Sequence, residues 1–392
     1  MATQTVTSGV QYSGIWSLGG QANAKSASTW PNQPVISLLS WGNNSSGQLG
    51  LGNVTAYSSP KQIGSLSDWS KLAVGGGSNG SFNLTIKTDG TMWVWGNNAS
   101  GQLGLGNTTA YSSPKQVGAL TTWQYIAIGE VHCVATKTDG TIWTWGYNYY
   151  GNLGQGNSGV INNKSSPVQV GSSYDWGKVA AGNNQCYSIK TDGTLWGWGR
   201  NHHGQLGDNS AINKSSPVQI GALTSWLTIA AGWYHTVATK TDGTLWAWGR
   251  GEHGAHGLGD TTDRSSPVQI GALTSWLNVC GNQYSCLATK TDGTLWSWGK
   301  NSDGNLGLGN TTYYSSPKQV GSLTNWSQVF GGAHTSRSIK TDGTLWSWGS
   351  NSIGKLGIGN TTNYSSPKQV GALTTWTAIG GAGYHAIGIA GV

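Results

Sequence analysis

Residues 221–250 read GALTSWLTIAAGWYHTVATKTDGTLWAWGR, and this stretch carries the pattern that decides the fold. Apolar and polar residues alternate in HTVATK and in TLWAWG, which predicts two strands, since successive side chains of a strand point to opposite faces. Asp242-Gly243 between them favours a tight hairpin turn, because both residues tolerate positive φ angles. The flanking segments, WLTIAAG and at 264–270 RSSPVQI, add one strand each. The unit therefore predicts four short strands and no helix.

This unit repeats along the chain of 392 residues. Seven Trp-Gly pairs, spaced by 50 to 54 residues, begin at Trp41, Trp95, Trp145, Trp198, Trp248, Trp298 and Trp348. Repeats of about this length with four strands each are typical of a β-propeller, whose blades surround a central axis. Only six Thr-Asp-Gly turns accompany the seven pairs, and the missing turn falls where the chain begins and ends.

The two ends of the chain match complementary halves of one unit. Residues 384–390 align on 234–240, and residues 38–41 align on 245–248. We therefore predict an all-β, seven-bladed β-propeller of four-stranded blades over residues 31–392, whose ring is closed by a composite blade with two strands from each terminus. Such closure removes exposed sheet edges. Residues 1–30 lie outside the repeat, and we predict that this N-terminal extension attaches the propeller to a partner.

The composition excludes several classes of protein. Charged residues make up 9 % of the chain and aromatic residues 10 %, whereas disordered chains are rich in charge and poor in aromatics. No apolar run is long enough to span a bilayer, so we expect no membrane insertion. The first residues, MATQTVTSGVQYSG, have neither a basic start nor an apolar stretch, which argues against a secretory signal peptide. Four cysteines are too few for a disulfide framework.

The repeated motifs GxxHxxA, DGTLWxWG, NxxGQLGLGN and SSP resemble the repeat of the regulator of chromosome condensation family, over about residues 31–392. The resemblance implies a seven-bladed propeller. It does not imply one activity, because that family includes a nuclear nucleotide-exchange factor, a plant ultraviolet-B photoreceptor and a secreted bacterial β-lactamase inhibitor. The uniform period leaves no room for the exchange factor's protruding loop, and the match to the photoreceptor's Gly-Trp-Arg-His-Thr motif at 232–236 lacks the arginine.

The net charge of +7 equals one cation beside each Ser-Ser-Pro motif, namely Lys61, Lys115, Lys164, Lys214, Arg264, Lys318 and Lys368. If this motif opens the outermost strand, the propeller carries a ring of single positive charges at its rim. Cations on edge strands deter association between sheets. One charge per blade is too dilute for a nucleic-acid-binding stripe, so we expect no specific nucleic acid partner.

Candidate binding residues are those that depart from the repeat. The loops 200–204 and 250–256 occupy equivalent positions in successive units, and their ligand-type side chains are His202, His203, Glu252, His253 and His256. These residue types bind Zn²⁺, but their spacing matches no established zinc motif, so we predict no metal site and keep them as binding candidates. Trp233, Tyr234, Tyr149 and Tyr150 join them, because Tyr-rich loops often form contact surfaces.

Other recurring residues indicate structure. His132, His235, His334 and His385 recur near the start of one strand, which favours a structural hydrogen bond. Cys133, Cys186 and Cys286 fill one strand position, typical of a small buried side chain, and a pairing of Cys280 with Cys286 is left open. The tryptophans lie mostly at repeated positions, which indicates packing between blades.

The sequence offers no catalytic residues and no cofactor motif. A carbohydrate-active enzyme would need paired carboxylates near the axis, and the only acids in register are the turn aspartates, whose six copies indicate a turn requirement. We therefore predict a protein that is not an enzyme.

A surface built from Asn, Ser, Thr, Gly and Tyr, without an export signal, favours a binding or structural module that is extracellular or part of a phage virion. Its partner would be a protein or a glycan, with virion or surface assembly through residues 1–30. Two alternatives are an intracellular, cytoplasmic regulator that binds a small GTPase or another protein, and a secreted protein inhibitor of an enzyme.

Overall fold

The computed structural model describes residues 35–77, 80–381 and 383–392. Residues 36–392 form one compact unit of seven four-stranded antiparallel sheets, and each inner strand contacts the inner strands of both neighbouring blades. The predicted seven-bladed propeller is therefore confirmed. The predicted extension, residues 1–30, lies outside the described residues, and its attachment role stays a prediction.

Each inner strand begins at a repeated tryptophan. The inner strands of blades 1 to 7 are β3 (Trp69–Gly75), β7 (Trp123–Ile128), β11 (Trp176–Ala181), β15 (Trp226–Ala231), β19 (Trp276–Gly281), β23 (Trp326–Gly331) and β27 (Trp376–Gly381). The second strands, in the same order, are β4 (Phe82–Lys87), β8 (His132–Lys137), β12 (Gln185–Lys190), β16 (His235–Lys240), β20 (Ser285–Lys290), β24 (Thr335–Lys340) and β28 (His385–Gly391).

The third strands contain the Trp-Gly pairs. They are β5 (Met92–Gly96), β9 (Ile142–Gly146), β13 (Leu195–Gly199), β17 (Leu245–Gly249), β21 (Leu295–Gly299), β25 (Leu345–Gly349) and, in blade 7, β1 (Ile36–Gly42). The outer strands are β6 (Tyr111–Gln116), β10 (Lys164–Gln169), β14 (Lys214–Gln219), β18 (Arg264–Gln269), β22 (Tyr314–Gln319), β26 (Tyr364–Gln369) and β2 (Tyr57–Gln62). Two short 3₁₀ helices, η1 (Val160–Asn162) and η2 (Glu252–Gly254), lie in loops after the third strands of blades 2 and 4.

Blade 7 is composite, as predicted. Its strand order is β2-β1-β28-β27, so each end of the chain supplies two strands. Strands β1 and β28 pair in unbroken antiparallel register from Ile36 opposite Gly391 to Gly42 opposite His385. The last strand of the chain is therefore held in the middle of a sheet by backbone hydrogen bonds on both sides.

The core lies between the blades and is built around the Trp-Gly tryptophans, all of which are fully buried. In blade 2, the indole Nε1 of Trp145 donates to the carbonyl of Gln102 in the preceding blade at 2.9 Å, and the Cys133 thiol donates to the same oxygen at 3.4 Å. Cys286 and Trp298 share the Ala255 carbonyl in the same way. The predicted structural role of this cysteine position is confirmed. All four cysteines are free, so Cys280 and Cys286 are not paired.

The remaining tryptophans of the repeat surround the turn lysines. Trp226 makes edge contacts with Trp246 and Trp248, at ring distances of 6.1 and 5.8 Å, and the Lys240 ammonium lies 3.5 Å from the centre of the Trp246 ring. In the adjacent turn, the Asp242 carboxylate accepts hydrogen bonds from the backbone amide and the hydroxyl of Thr244. These contacts recur in the other turns. The prediction that tryptophans and turn aspartates serve packing and turns is confirmed.

The Ser-Ser-Pro motifs lie in the outer strands, so the seven cations of the net charge surround the rim. Those of the Tyr-Ser-Ser-Pro-Lys type stack on the tyrosine of their own strand, as Lys318 does on Tyr314 at 5.6 Å. Lys214 and Arg264 instead pair with Asp208 at 3.2 Å and Asp260 at 2.6 Å. Five of the seven rim cations therefore have no carboxylate within salt-bridge distance among the described residues.

Two glycines separate the cost of steric clash from the cost of backbone conformation. Gly207 has a φ of +81° and would place a Cβ 2.7 Å from Nε1 of the buried Trp248, whereas Gly221, with a φ of +63°, has nothing within 4 Å. We expect Gly221→Ala to lose about 1–2 kcal/mol of unfolding free energy from its φ alone. Gly207→Ala should lose about 1–3 kcal/mol more, because the indole cannot retreat. Urea unfolding of both variants measures this, and equal losses would contradict the clash.

Candidate functional site

All the predicted binding residues lie at one end of the ring. The antiparallel topology places the connections from inner to second strands, and from third to outer strands, at the same end of every blade. We call this end the loop face, and the opposite end, which carries the Thr-Asp-Gly hairpins, the turn face. Trp233 and Tyr234 lie in a connection from an inner to a second strand. The other predicted binding residues lie in connections from third to outer strands. Ring closure therefore gathers them on one surface.

A small cavity lies on the axis at the loop face, where the inner strands of all seven blades end. Its volume is about 160 Å³, and its walls are mainly glycine and alanine backbone, with side chains from Glu130, Asn183, Trp233, Asn282 and Gln283. Glu130 is the one carboxylate among these lining residues. A single carboxylate does not make the acid and base pair that glycoside hydrolysis needs.

Beside the cavity, ring side chains from blades 2 to 5 form a series of contacts, which Arg200 bridges between blades 2 and 4 by contacting both Tyr150 and Tyr234. We call this series the aromatic arc, and its members are Tyr147, Tyr149, Tyr150, His202, His203, Trp233, Tyr234, His253, Tyr284 and Tyr313. Within it, the rings of Tyr234 and Tyr284 are 6.0 Å apart, and His253 lies 5.6 Å from Tyr284 and 5.2 Å from Tyr313.

Two guanidinium groups lie between tyrosines of the arc, and one ammonium lies beside Tyr284. The Arg200 guanidinium lies 5.0 Å from the ring centres of both Tyr150 and Tyr234. Arg250 lies 5.4 Å from Tyr234 and 5.9 Å from Tyr284. Lys300 lies 5.5 Å from Tyr284. Cations at this distance from an aromatic ring are attracted by its quadrupole, so each member of the alternating series holds its neighbours in place.

The predicted residues Glu252, His203 and His253 order the loops of the arc. Glu252 pairs with Arg250 at 2.7 Å and lies 3.7 Å from His253, and His203 contacts Asp263 at 3.0 Å. Burial, reinforced by the nearby positive charge of Arg200, lowers the pKa of His202, so this imidazole is neutral at pH 7. His253 also adopts a left-handed φ of 61°. The structure thus brings together every predicted binding residue except His256.

His256 lies inside its loop and is fully buried. Its Nε2 donates to the carbonyl of Thr262 at 2.8 Å, and its Nδ1 accepts from the amide of Leu258 at 3.2 Å. In blade 5, the side chain of Asn301 donates to the equivalent carbonyl, that of Thr312. Gly251 stands where most blades have this asparagine, so His256 replaces an amide that its own loop lacks.

Metal ligation finds no support at this surface. Among the residues that the structure describes, no group of three or more His, Cys, Asp and Glu side chains is placed to hold a metal ion. Each ring nitrogen of His256 already has a backbone partner. The contacts of the loop-face histidines are ring contacts, ion pairs and hydrogen bonds.

The four recurring histidines lie near the start of the second strand, as predicted, but they do not all occupy the same position. His132, His235 and His385 begin the second strands of their blades, but His334 precedes strand β24 by one residue. It occupies the position of Tyr234, is partly exposed, and contacts Asp303 at 3.1 Å. In this blade, the residue equivalent to His235 is Thr335, and His334 is the residue before it.

Four residues of the site were not among the binding residues predicted from the sequence, namely Arg200, Arg250, Lys300 and Tyr284. A signal for three of them was present, because these cations follow the Trp-Gly pair at the same position of three successive units. Other units carry Asn43, Asn97, Tyr147 and Ser350 there. Their stacking between tyrosines of different blades was not visible in the sequence.

No helix among the described residues is long and apolar enough to cross a membrane. Comparison with solved structures supports the fold. Human WBSCR16 superposes with a TM-score of 0.80 at 19 % identity, covering 91 % of this chain and 98 % of that one. Prp20p from Saccharomyces cerevisiae, described with its binding properties to Gsp1p and histones, superposes with a TM-score of 0.79 at 20 % identity, covering 92 % of both chains.

Among curated proteins, the chain is similar to the probable E3 ubiquitin-protein ligase HERC6 of Homo sapiens, at 30 % identity over 176 residues, which is 43 % of this chain and 17 % of HERC6. It is also similar to the Protein RCC2 homolog of Xenopus laevis, at 41 % identity over 81 residues, which is 20 % of this chain and 15 % of that protein. The matches thus span less than a fifth of these relatives.

Two family models match the chain. The RCC1-like domain model covers residues 38–323, and the regulator of chromosome condensation (RCC1) repeat model covers residues 342–389. The first of these spans well over half of the chain. The chain therefore belongs to the RCC1-like domain family.

Proposed function

We propose that this chain is a non-enzymatic protein-binding propeller that docks its partner on the aromatic arc and acts inside a cell. The observation that carries the proposal is the unbroken series of aromatic and cationic side chains across blades 2 to 5. Tyr, Trp and Arg are the residues that dominate the energetics of protein interfaces. The repeated sequence of the other blades offers no comparable cluster of these residues on the loop face.

The arc is also pre-organised. Tyr234 contacts Trp233, His203 and Tyr284 as well as two guanidinium groups, so its ring is held in one orientation before a partner arrives. Side chains that are already ordered lose little conformational entropy on binding. Such a surface supports tight binding without a deep pocket.

The absence of enzymatic activity is part of the proposal. Two observations support it. The axial cavity offers one carboxylate, and the cysteine thiols carry raised pKa values because they are buried, which makes them poor nucleophiles.

The intracellular setting is the alternative that the comparisons favour over an extracellular or virion protein. Prp20p, of similar fold, is described as binding Gsp1p and histones, which makes a protein partner the leading class for this chain too. Four free cysteines also suit a reducing compartment. The comparisons lend no support to virion assembly, to an extracellular location or to a glycan partner.

Affinity capture with two matched variants tests this proposal. Tyr234→Ala with Tyr284→Ala removes two rings from the arc, and Tyr125→Ala with Tyr174→Ala removes two tyrosines from the turn face. We expect proteins captured by the wild-type chain to be retained by the turn-face variant. The arc variant should lose them about tenfold or more, as measured by quantitative mass spectrometry. Equal capture by both variants, or loss on the turn-face variant, would contradict docking on the arc.

A further inference from the structure

Arg200 is a cation of the aromatic arc whose side chain has no hydrogen-bond acceptor among the residues that the structure describes. Its guanidinium is partly exposed and is flanked by Tyr150 and Tyr234, each at 5.0 Å. No described carboxylate lies within salt-bridge distance of it, and its Nε is buried without a hydrogen-bond partner. A planar guanidinium between two rings cannot swing away to find an acceptor elsewhere. The guanidinium is therefore held in place without a carboxylate partner among the described residues.

Lys300, two blades further along the arc, also lacks a carboxylate partner among the described residues. Its ammonium contacts the Tyr284 ring at 5.5 Å and forms no salt bridge with any described residue. Between the two lies Arg250, which Glu252 already neutralises at 2.7 Å. The arc thus presents two unpaired cations, on blades 3 and 5, separated by one neutral ion pair.

Planar guanidinium groups bind carboxylates and phosphates through paired hydrogen bonds. The carboxylates of the arc itself distinguish these two ligands. Glu252 and Asp263 lie in one loop of blade 4 and Asp303 lies in the equivalent loop of blade 5, and these carboxylates would repel the continuous charge of a phosphate backbone. Separated acidic side chains can meet Arg200 and Lys300 while leaving neutral residues opposite Glu252.

We propose that the aromatic arc recognises an extended acidic segment of a partner protein, with Arg200 and Lys300 each receiving a carboxylate side chain. This inference rests on the proposed protein-binding function and adds the chemistry of the partner. The tyrosines pack against the segment between its acidic residues, since aromatic side chains supply contact area at a low cost in entropy.

The probe is a fluorescein-labelled peptide of four Glu-Gly-Ser repeats, followed by fluorescence anisotropy with the full chain. We expect binding that weakens about tenfold or more in Arg200→Gln with Lys300→Gln. The matched control is Lys318→Gln with Lys368→Gln. It removes the same two charges from rim lysines that also stack on tyrosines, at 5.6 and 5.2 Å, and should leave the affinity nearly unchanged. A Gln-Gly-Ser peptide should not bind.

Three outcomes would overturn the inference. The first is equal weakening by the arc and rim variants, which indicates non-specific attraction to a basic protein. The second is absence of binding, or equal binding of the Gln-Gly-Ser peptide. The third is tighter binding of a labelled ten-residue oligothymidylate that is lost in the same arc variant, which indicates nucleic acid.

The inference can also fail while the proposed function stands. In that case, captured proteins depend on Tyr234 and Tyr284 but are unaffected by Arg200→Gln with Lys300→Gln. Circular dichroism and thermal unfolding of each variant verify that the fold is intact.

Discussion

Ending the chain at Gly381 should abolish cooperative folding. This truncation removes strand β28, which lies between β1 and β27 in the composite blade. It deletes the buried side chains of Ile387 and Ile389 and leaves both neighbouring strands with unpaired backbone groups. Unpaired strand edges promote aggregation, and two of the hydrophobic clusters between blades include residues of β28. We expect no calorimetric unfolding transition and a loss of monomer in size-exclusion chromatography.

Two controls separate closure from a general effect of shortening. Removing Val392 alone, a half-exposed residue beyond the strand, should leave the transition unchanged. Adding the synthetic peptide GYHAIGIAGV, residues 383–392, to the truncated chain should restore a transition by filling the vacant strand position. A truncated chain that melts at the temperature of the full chain would show that β28 does not hold the ring closed.

Acidification from pH 7 to pH 5 should destabilise the protein strongly through three buried histidines. His132 and His235 each donate from Nε2 to a cysteine sulfur of the next blade at 3.1 Å, and His385 donates to the Asn83 side chain at 2.7 Å. All three are shielded from solvent. Burial lowers the pKa of His132 to about 4 and, with smaller contributions from neighbouring charges, those of His235 and His385 to about 3.

The direction of this pH effect on stability follows from whether the unfolded or the folded chain binds more protons. The unfolded chain takes up a proton on each histidine near pH 6.5, whereas the folded chain does so only near pH 3 to 4. Stability is therefore fully present above pH 6.5 and is lost as the pH falls through the window between the two pKa values. Each histidine loses about 1.4 kcal/mol per pH unit in that window, which gives roughly 6 kcal/mol for the three at pH 5. The turn aspartates do not interfere, because their pKa values are lowered below an ordinary value of 3.8.

The triple variant His132→Gln, His235→Gln, His385→Gln tests this. Gln185 begins the second strand of blade 3, so this position accepts glutamine. Urea unfolding at pH 7 and pH 5 should show a much smaller loss of stability for the variant than for the wild-type chain. An equal loss in both proteins would assign the acid sensitivity to other groups, such as His256 and His334, whose pKa values burial also lowers.

Much of the architecture could be predicted because its causes are local and repeated. The Asp242-Gly243 turn, the alternation in the adjoining strands and the Trp-Gly pair each depend on neighbouring residues, and seven copies make the pattern unmistakable. The count of six turns for seven Trp-Gly pairs, together with the match of the two chain ends to complementary halves of one unit, predicted the composite blade. The rim cations followed in the same way, since their position depends only on which strand is outermost.

The candidate site was predicted in part. Trp233, Tyr234 and the histidine-bearing loops stood out because they depart from the repeat, and they do lie on one face. Arg337 shows the opposite case. It occupies the position of the buried Val237 and Leu287, and nothing in its unit indicates that a guanidinium would be fully buried there with Nε and Nη1 unpartnered.

The sequence by itself determined the seven blades and the closure of the ring, because strand alternation and turn chemistry act between residues close in the chain. Only the tertiary structure decided that Arg200 lies between Tyr150 and Tyr234, that Tyr284 extends the arc, and that His256 is buried in place of a missing asparagine. Those contacts join residues about one repeat apart, or fill a gap left by another residue. They depend on how far neighbouring blades stand from each other and on which rotamers fit between them.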